Sequence, residues 1–268
     1  MNKMNANLQK NVRAVKNILS AEDILVFHFE TTDGAACAAI YADGICDKDL
    51  LGEQVIRPLS SSERGDSIDE VAKKLTSPEV KKEKSIQAIA DEVLSGNTAL
   101  IVDGLDSALI IGVKKIPVRT ITEPPTSIAV KGPREGFIED IKTNMALLRK
   151  RLKTGDLQFE TLTVGTRSKS MIAVCYLNGI SDLKVKKQIV DRLKRIEIDG
   201  IPDASYIAKF LAKKPYSMFK QVGTTEKPDI LAAKMLEGRI GIFVDGSPIA
   251  LTLPYILVED FQSVQDYL

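Results

Sequence analysis

One pattern is written twice in this chain, and that constrains the fold more than any single motif. Ala39-Ile-Tyr-Ala-Asp-Gly-Ile-Cys-Asp47 lies over Val174-Cys-Tyr-Leu-Asn-Gly-Ile-Ser-Asp182, so that Tyr41 matches Tyr176, Gly44 matches Gly179, Ile45 matches Ile180 and Asp47 matches Asp182. Further on, Val93-Leu-Ser-Gly-Asn-Thr-Ala-Leu-Ile-Val-Asp-Gly104 lies over Met235-Leu-Glu-Gly-Arg-Ile-Gly-Ile-Phe-Val-Asp-Gly246. The first block is offset by 135 residues and the second by 142, a net gain of seven in the second copy. Coordinated matches in the same order are the mark of a repeated supersecondary unit. They predict two related subdomains arising from an internal duplication.

Each copy carries the same plan. A strand pair comes first: Ile24–Glu30 with Ala35–Tyr41, and Phe159–Val164 with Met171–Leu177, each around a cluster of turn residues. A helix follows, with Asp47 or Asp182 as N-cap and apolar Leu51, Val55 and Leu59, or Val185, Ile189, Leu193 and Ile196, at helical spacing. A second helix, Ile86–Leu94 or Ile230–Leu236, ends at a glycine two residues later. Last comes a hairpin, Ala99–Val102 with Leu109–Val113 and Ile240–Val244 with Ile249–Leu253, turned by Asp-Gly. Strands feeding helices in one compact unit predict an α/β fold with mixed sheets. The lysine-rich stretch Ser60–Lys84, broken by Ser77-Pro78, reads as exposed helix and loop.

Composition narrows the function. The formal net charge of the 268 residues is +1, so no global field draws the chain onto nucleic acid. Trp is absent and aromatics make up 5%, which leaves little for base stacking. Cys37, Cys46 and Cys175 fall at no CxxC spacing and His28 is the only histidine, a poor set for zinc; buried, reduced thiols are the expectation. No apolar core of signal-peptide length opens the chain, and no run approaches the length of a membrane-spanning helix. The expectation is a soluble chain with no cofactor.

The candidate chemistry resolves mostly into structure. Asp-Gly pairs at 33–34, 43–44, 103–104 and 245–246 are turn residues, because Asp tolerates and Gly supplies positive φ. His28 alternates with Phe27 and Phe29 along a strand and takes the opposite face from both, which reads as a solvent-facing or satisfied strand histidine and not a general base. Lys142–Lys153 and Lys184–Arg195 read as solvated helical faces whose late cations offset the helix dipole. Thr224-Thr-Glu-Lys-Pro-Asp229 reads as a capping segment with Thr225 or Asp229 as N-cap. The competing reading puts Lys227 on an anion. No Walker A, Rossmann, GxSxG or Cys–His pattern occurs, and no nucleophile, base and orienting group can be named together, so a non-enzymatic protein is expected.

Between the copies lie Glu123-Pro-Pro and then Gly132, Pro133, Arg134, Glu135, Gly136 and Phe137, the chemistry of a joint. After them Ile138, Ile141, Met145, Leu148 and Leu152 follow helical spacing, with acids at the start and cations at the end. The expected layout is a first subdomain at 1–125, a linker and connecting helix at 126–155, and a second subdomain at 156–268. Glu135, Glu139 and Asp140 argue against an anion site at the helix start. A two-lobed chain also suits a small-ligand sensor binding in the cleft between lobes, with Arg134 and Lys227 as the anion contacts.

Gly132-Pro-Arg-Glu-Gly-Phe-Ile-Glu-Asp-Ile-Lys-Thr-Asn-Met-Ala-Leu-Leu-Arg-Lys-Arg-Leu152 closely resembles the signature of the A subunit of GerA-type spore germinant receptors. Thr225-Glu-Lys-Pro-Asp229, Leu236-Glu-Gly-Arg-Ile-Gly-Ile-Phe-Val-Asp-Gly-Ser-Pro248 and the closing Phe261-Gln-Ser carry the same resemblance. It implies the N-terminal domain of a larger protein, with membrane helices expected beyond residue 268. It also implies residence in the inner membrane of a bacterial endospore, with this domain on the spore-core side. The implied partners are B and C subunits and other A subunits, in a complex that answers nutrients with ion release and germination.

Overall fold

The computed structural model describes residues 3–115, 133, 135–212, 220–256 and 259. The chain divides into two compact units, Met1–Pro117 with Lys153–Gly155, and Val118–Leu152 with Asp156–Leu268.

The first unit opens with α1 (Leu8–Ile18), capped by the Asn7 side chain accepting from the Lys10 N–H. β1 (Ile24–Glu30) and β2 (Ala36–Ala42) form the expected hairpin. Asp47 caps α2 (Lys48–Leu51), which runs through a π-helical turn (Gly52–Ile56) into α3 (Arg57–Ser60). Within Ser60–Lys84 lie α4 (Ile68–Lys74) and β3 (Val80–Glu83). The helix was legible there, but the strand has only four residues and three of them are charged. α5 (Ile86–Leu94), β4 (Thr98–Val102) and β5 (Ala108–Ile111) complete the unit. The sheet order is β1-β2-β4-β5-β3. Residues of α2, the π-helical turn, α3 and α4, among them Leu51, Val55, Leu59 and Val71, pack with Cys37, Ala39, Leu100 and Leu109 of the sheet. Helices α1 and α5 pack on the sheet as well as on each other.

The second unit repeats the scheme. α6 (Ile141–Arg151) is followed by β6 (Leu157–Val164) and β7 (Ser170–Leu177). α7 (Leu183–Leu193), capped by Asp182, leads to α8 (Ala204–Leu211) and β8 (Gly223–Thr225). α9 (Pro228–Leu236), β9 (Ile240–Val244) and β10 (Ala250–Leu253) end it. The sheet order β6-β7-β9-β10-β8 is the first sheet's order over again. Alternate residues of β7 serve opposite cores: Ala173 and Cys175 join α6 and α9, while Ile172 and Val174 join α7 and α8. A strand buried on both faces has to be apolar at every position, as Met171–Leu177 is.

The α/β class of the chain stands, with one correction. Every pairing between the described strands is antiparallel, where mixed sheets were expected. The helices lie beside hairpins, and no crossover returns a strand parallel to its neighbour. The Asp-Gly turns hold their glycines at positive φ, 84° at Gly104 and 82° at Gly246. His28 is exposed on edge strand β1, but so is Phe27, 44% exposed, so the expected alternation of faces does not hold there.

Candidate functional site

The stretch that leads into α6 is built from backbone bonds and one amide side chain. The Phe137 N–H donates to the Glu226 carbonyl (2.7 Å), just ahead of α9. Asn144, fully buried, accepts from the Ile138 N–H (2.8 Å) and donates to the Ile138 carbonyl (2.5 Å), closing a ring around the turn. Asp140 caps the helix through the Thr143 N–H (2.7 Å). Asp245 accepts from the Ile141 N–H (3.4 Å), and the Gly246 N–H donates to the Glu139 carbonyl (2.8 Å). The Asp245-Gly246 turn therefore also anchors the start of a helix distant in sequence.

The first unit contains the same device. Asn11 bonds the N–H and carbonyl of Asn5, Asp103 accepts from the Leu8 N–H (3.0 Å), and the Gly104 N–H donates to the Ala6 carbonyl (2.8 Å). α6 thus corresponds to α1, at the head of its unit. Its apolar residues Ile141, Leu147, Leu148 and Leu152 share a core with Phe137, Phe159, Leu231 and Phe243. The Phe137 and Phe243 rings meet edge to face, with centroids 5.0 Å apart.

Glu135 receives Lys150 Nζ and Arg151 Nη2, both at 2.9 Å. Burial pushes the Glu135 carboxyl up, and these bonds and charges more than reverse it, leaving it below its ordinary value. Arg149 departs from the solvated-face reading. It is 1% exposed, donates to the Leu157 carbonyl (3.0 Å) and lies 5.2 Å over the Phe159 ring. Lys227 occupies the N-cap position of α9 ahead of Pro228, in place of the expected Thr225 or Asp229. Thr225 contributes by accepting from the Lys227 N–H (3.2 Å). Lys227 is 1% exposed, so its side chain is closed to solvent. Gly132, Arg134 and the segment Phe261–Leu268 lie outside the described residues, while Pro133 is half-buried and Gly136 is buried.

A cluster that sequence reasoning passed over lies past β10. Glu259 accepts from Lys234 Nζ, faces Arg239 Nε at 3.1 Å and accepts from the Ile256 N–H (3.2 Å). All three charged side chains are almost completely buried. Nothing at sequence level marks Glu259, because its partners sit some twenty residues earlier. The three cysteines are free and buried, and burial pushes the Cys37 thiol up to about 11. Thiols held in that state are inert as nucleophiles. Among the described residues no helix is long and apolar enough to cross a membrane.

Comparison with known proteins converges on one family. The sequence profile of "Bacillus/Clostridium GerA spore germination protein" matches residues 12–268. Spore germination protein KA of Bacillus subtilis is 35% identical over 268 residues, covering 97% of this chain and 49% of its own length. A Bacillus subtilis protein named "Uncharacterized membrane protein YfkQ" is 33% identical over 266 residues, covering 97% of this chain and 52% of its own. The chain thus spans about half the length of these relatives. Its fold is similar to the crystal structure of the N-terminal domain of the A subunit of the Bacillus megaterium spore germinant receptor GerK3. That match has a TM-score of 0.73 and 26% identity over 96% of this chain and 98% of the other. The chain belongs to the GerA family of spore germination proteins.

Proposed function

We propose that this chain is the N-terminal, non-enzymatic domain of a germinant-receptor A subunit that works in the membrane of the spore and takes part in nutrient-triggered signalling. The observation that carries this reading is the match along nearly the whole chain to a solved N-terminal domain of such a subunit, together with relatives about twice as long. The membrane helices belong to the half of the protein beyond this domain. The domain faces the spore core, and its partners are B and C subunits and further A subunits.

Within that reading, Gly132–Phe137 and α6 are the joint through which a signal passes along the chain. Gly136 is buried where the segment enters its bonded turn. The test is Gly136→Val in the full-length receptor. We expect nutrient-triggered germination, followed as the fall in optical density of a spore suspension, to slow severalfold while the receptor still reaches the spore membrane. Normal germination together with an unchanged melting temperature of the domain would count against the joint. Affinity purification of the tagged receptor from spore membranes checks the partners, since recovery without B and C subunits would remove the assembly reading.

A further inference from the structure

The two units match element for element, yet they differ at one end, and the difference exposes an apolar surface. In the first unit the chain leaving β5 runs on, extended, across Ile45 and Cys46. Lys114 forms an antiparallel bridge with Cys46, the Lys115 N–H donates to the Ile45 carbonyl (2.9 Å), and the Asp47 N–H donates to the Val113 carbonyl (2.8 Å). Lys115 also pairs with the Asp47 carboxylate at 3.7 Å. In this unit Ile45 and Leu94 are each 4% exposed.

Their counterparts at the same offsets are Ile180 and Leu236, which are 50% and 57% exposed. Leu183 beside them, at 54%, replaces the lysine of the first unit, Lys48. Among the described residues no segment crosses this end: past β10 the Ile256 N–H donates to the Glu259 carboxylate, which is held by Lys234 and Arg239. Among the described residues no bond is made to the Ile180 carbonyl or from the Asp182 N–H, the groups whose equivalents hold the covering segment in the first unit. Gly238, two residues beyond Leu236, sits against the Ile180 carbonyl, which brings both apolar residues to the same end of the unit. Two carboxylates flank it: exposed Asp182, and half-exposed Glu237, which pairs with Arg239.

We propose that this end of the second unit is a docking site for an extended segment of a partner polypeptide, an apolar residue followed by two basic ones. The first unit supplies the template: Val113-Lys-Lys115 seats on the equivalent end through two backbone bonds and an ion pair to the equivalent aspartate, with the Val113 side chain buried. The mode is strand addition, in which backbone bonds give affinity and side chains give choice. The Asp182 carboxylate, counterpart of Asp47, complements the second basic residue as Asp47 does Lys115. The proposal rests on the internal comparison and is independent of the germination reading.

The experiment titrates the isotopically labelled 268-residue chain with the capped peptide Ile-Gly-Val-Lys-Lys, a copy of residues 111–115, up to about 5 mM. Saturable shifts at the Ile180, Asp182 and Gly238 amides are expected. Leu236→Lys should weaken binding about tenfold at an unchanged melting temperature, and a peptide with Glu in place of both Lys should fail to bind. The proposal is overturned if no saturable shift occurs or if the Glu peptide binds equally well. It is overturned, too, if Leu236→Lys turns a dimer of the free chain into a monomer, which would assign the patch to a second copy. Loss of flotation with anionic lipid vesicles in that variant would assign it to a lipid surface and equally end the proposal.

Discussion

At the residue scale, the side chains that hold the turn before α6 are polar ones with no catalytic look. Asn144 satisfies both backbone groups of Ile138 from a fully buried position. Asn144→Leu would leave that N–H and carbonyl unpaired, at a cost of about 2 kcal/mol that urea denaturation should register. Glu135 makes a pH-dependent contribution. Its carboxyl is held below the ordinary glutamate value by Lys150 and Arg151 against the pull of burial. A depressed carboxylate stabilises the fold above its unfolded value of about 4.3 and ceases to as pH falls through the lower folded value. Glu135→Gln should therefore lower the urea midpoint at neutral pH and flatten its fall toward pH 3, relative to the parent chain. The aspartates of the Asp-Gly turns were legible as turn formers because the chemistry is local. Their second role, receiving the N–H of Leu8 or Ile141, was not, since it depends on a helix more than ninety residues away.

At the element scale, the strongly patterned segments were readable and the weakly patterned ones were not. β7, β9 and the helices capped by Asp47 and Asp182 stood out through apolar runs or helical spacing. α1 escaped because only Leu8, Asn11 and Val15 of its eleven residues are buried and one of those is polar. β8 escaped because three residues, Gly-Thr-Thr, carry no periodicity at all. Both short strands β3 and β8 are sheet edges, recruited by their neighbours more than by their own sequence. The exit from β10 is a tertiary device of the same kind. Glu259→Gln would leave Lys234 and Arg239 buried with much of their compensating charge gone, and a loss of about 3 to 5 kcal/mol is expected in denaturant unfolding. A change below about 1 kcal/mol would mean that water reaches the cluster and that the segment is loosely held.

At the scale of the whole molecule, the position of α6 decides how the chain is divided. A boundary at residue 156 would strip Phe137, Ile141, Leu148 and Leu152 from the core they share with Phe159 and Phe243. A fragment that begins at residue 133 should unfold cooperatively in urea by far-UV circular dichroism. One that begins at residue 156 should show no cooperative transition, because removing several large buried side chains costs more than a domain's net stability. Equal cooperativity of the two fragments would contradict this division. The α/β class and the family signature were determined by sequence alone, because hydrophobic period, turn chemistry and motif spacing are local properties of a chain. Strand direction, the burial of Arg149 and Lys227, and the bare end at Ile180 and Leu236 were decided only by tertiary structure. Each depends on which distant segment arrives to cover a surface, and two stretches with matching residues can differ completely in what arrives.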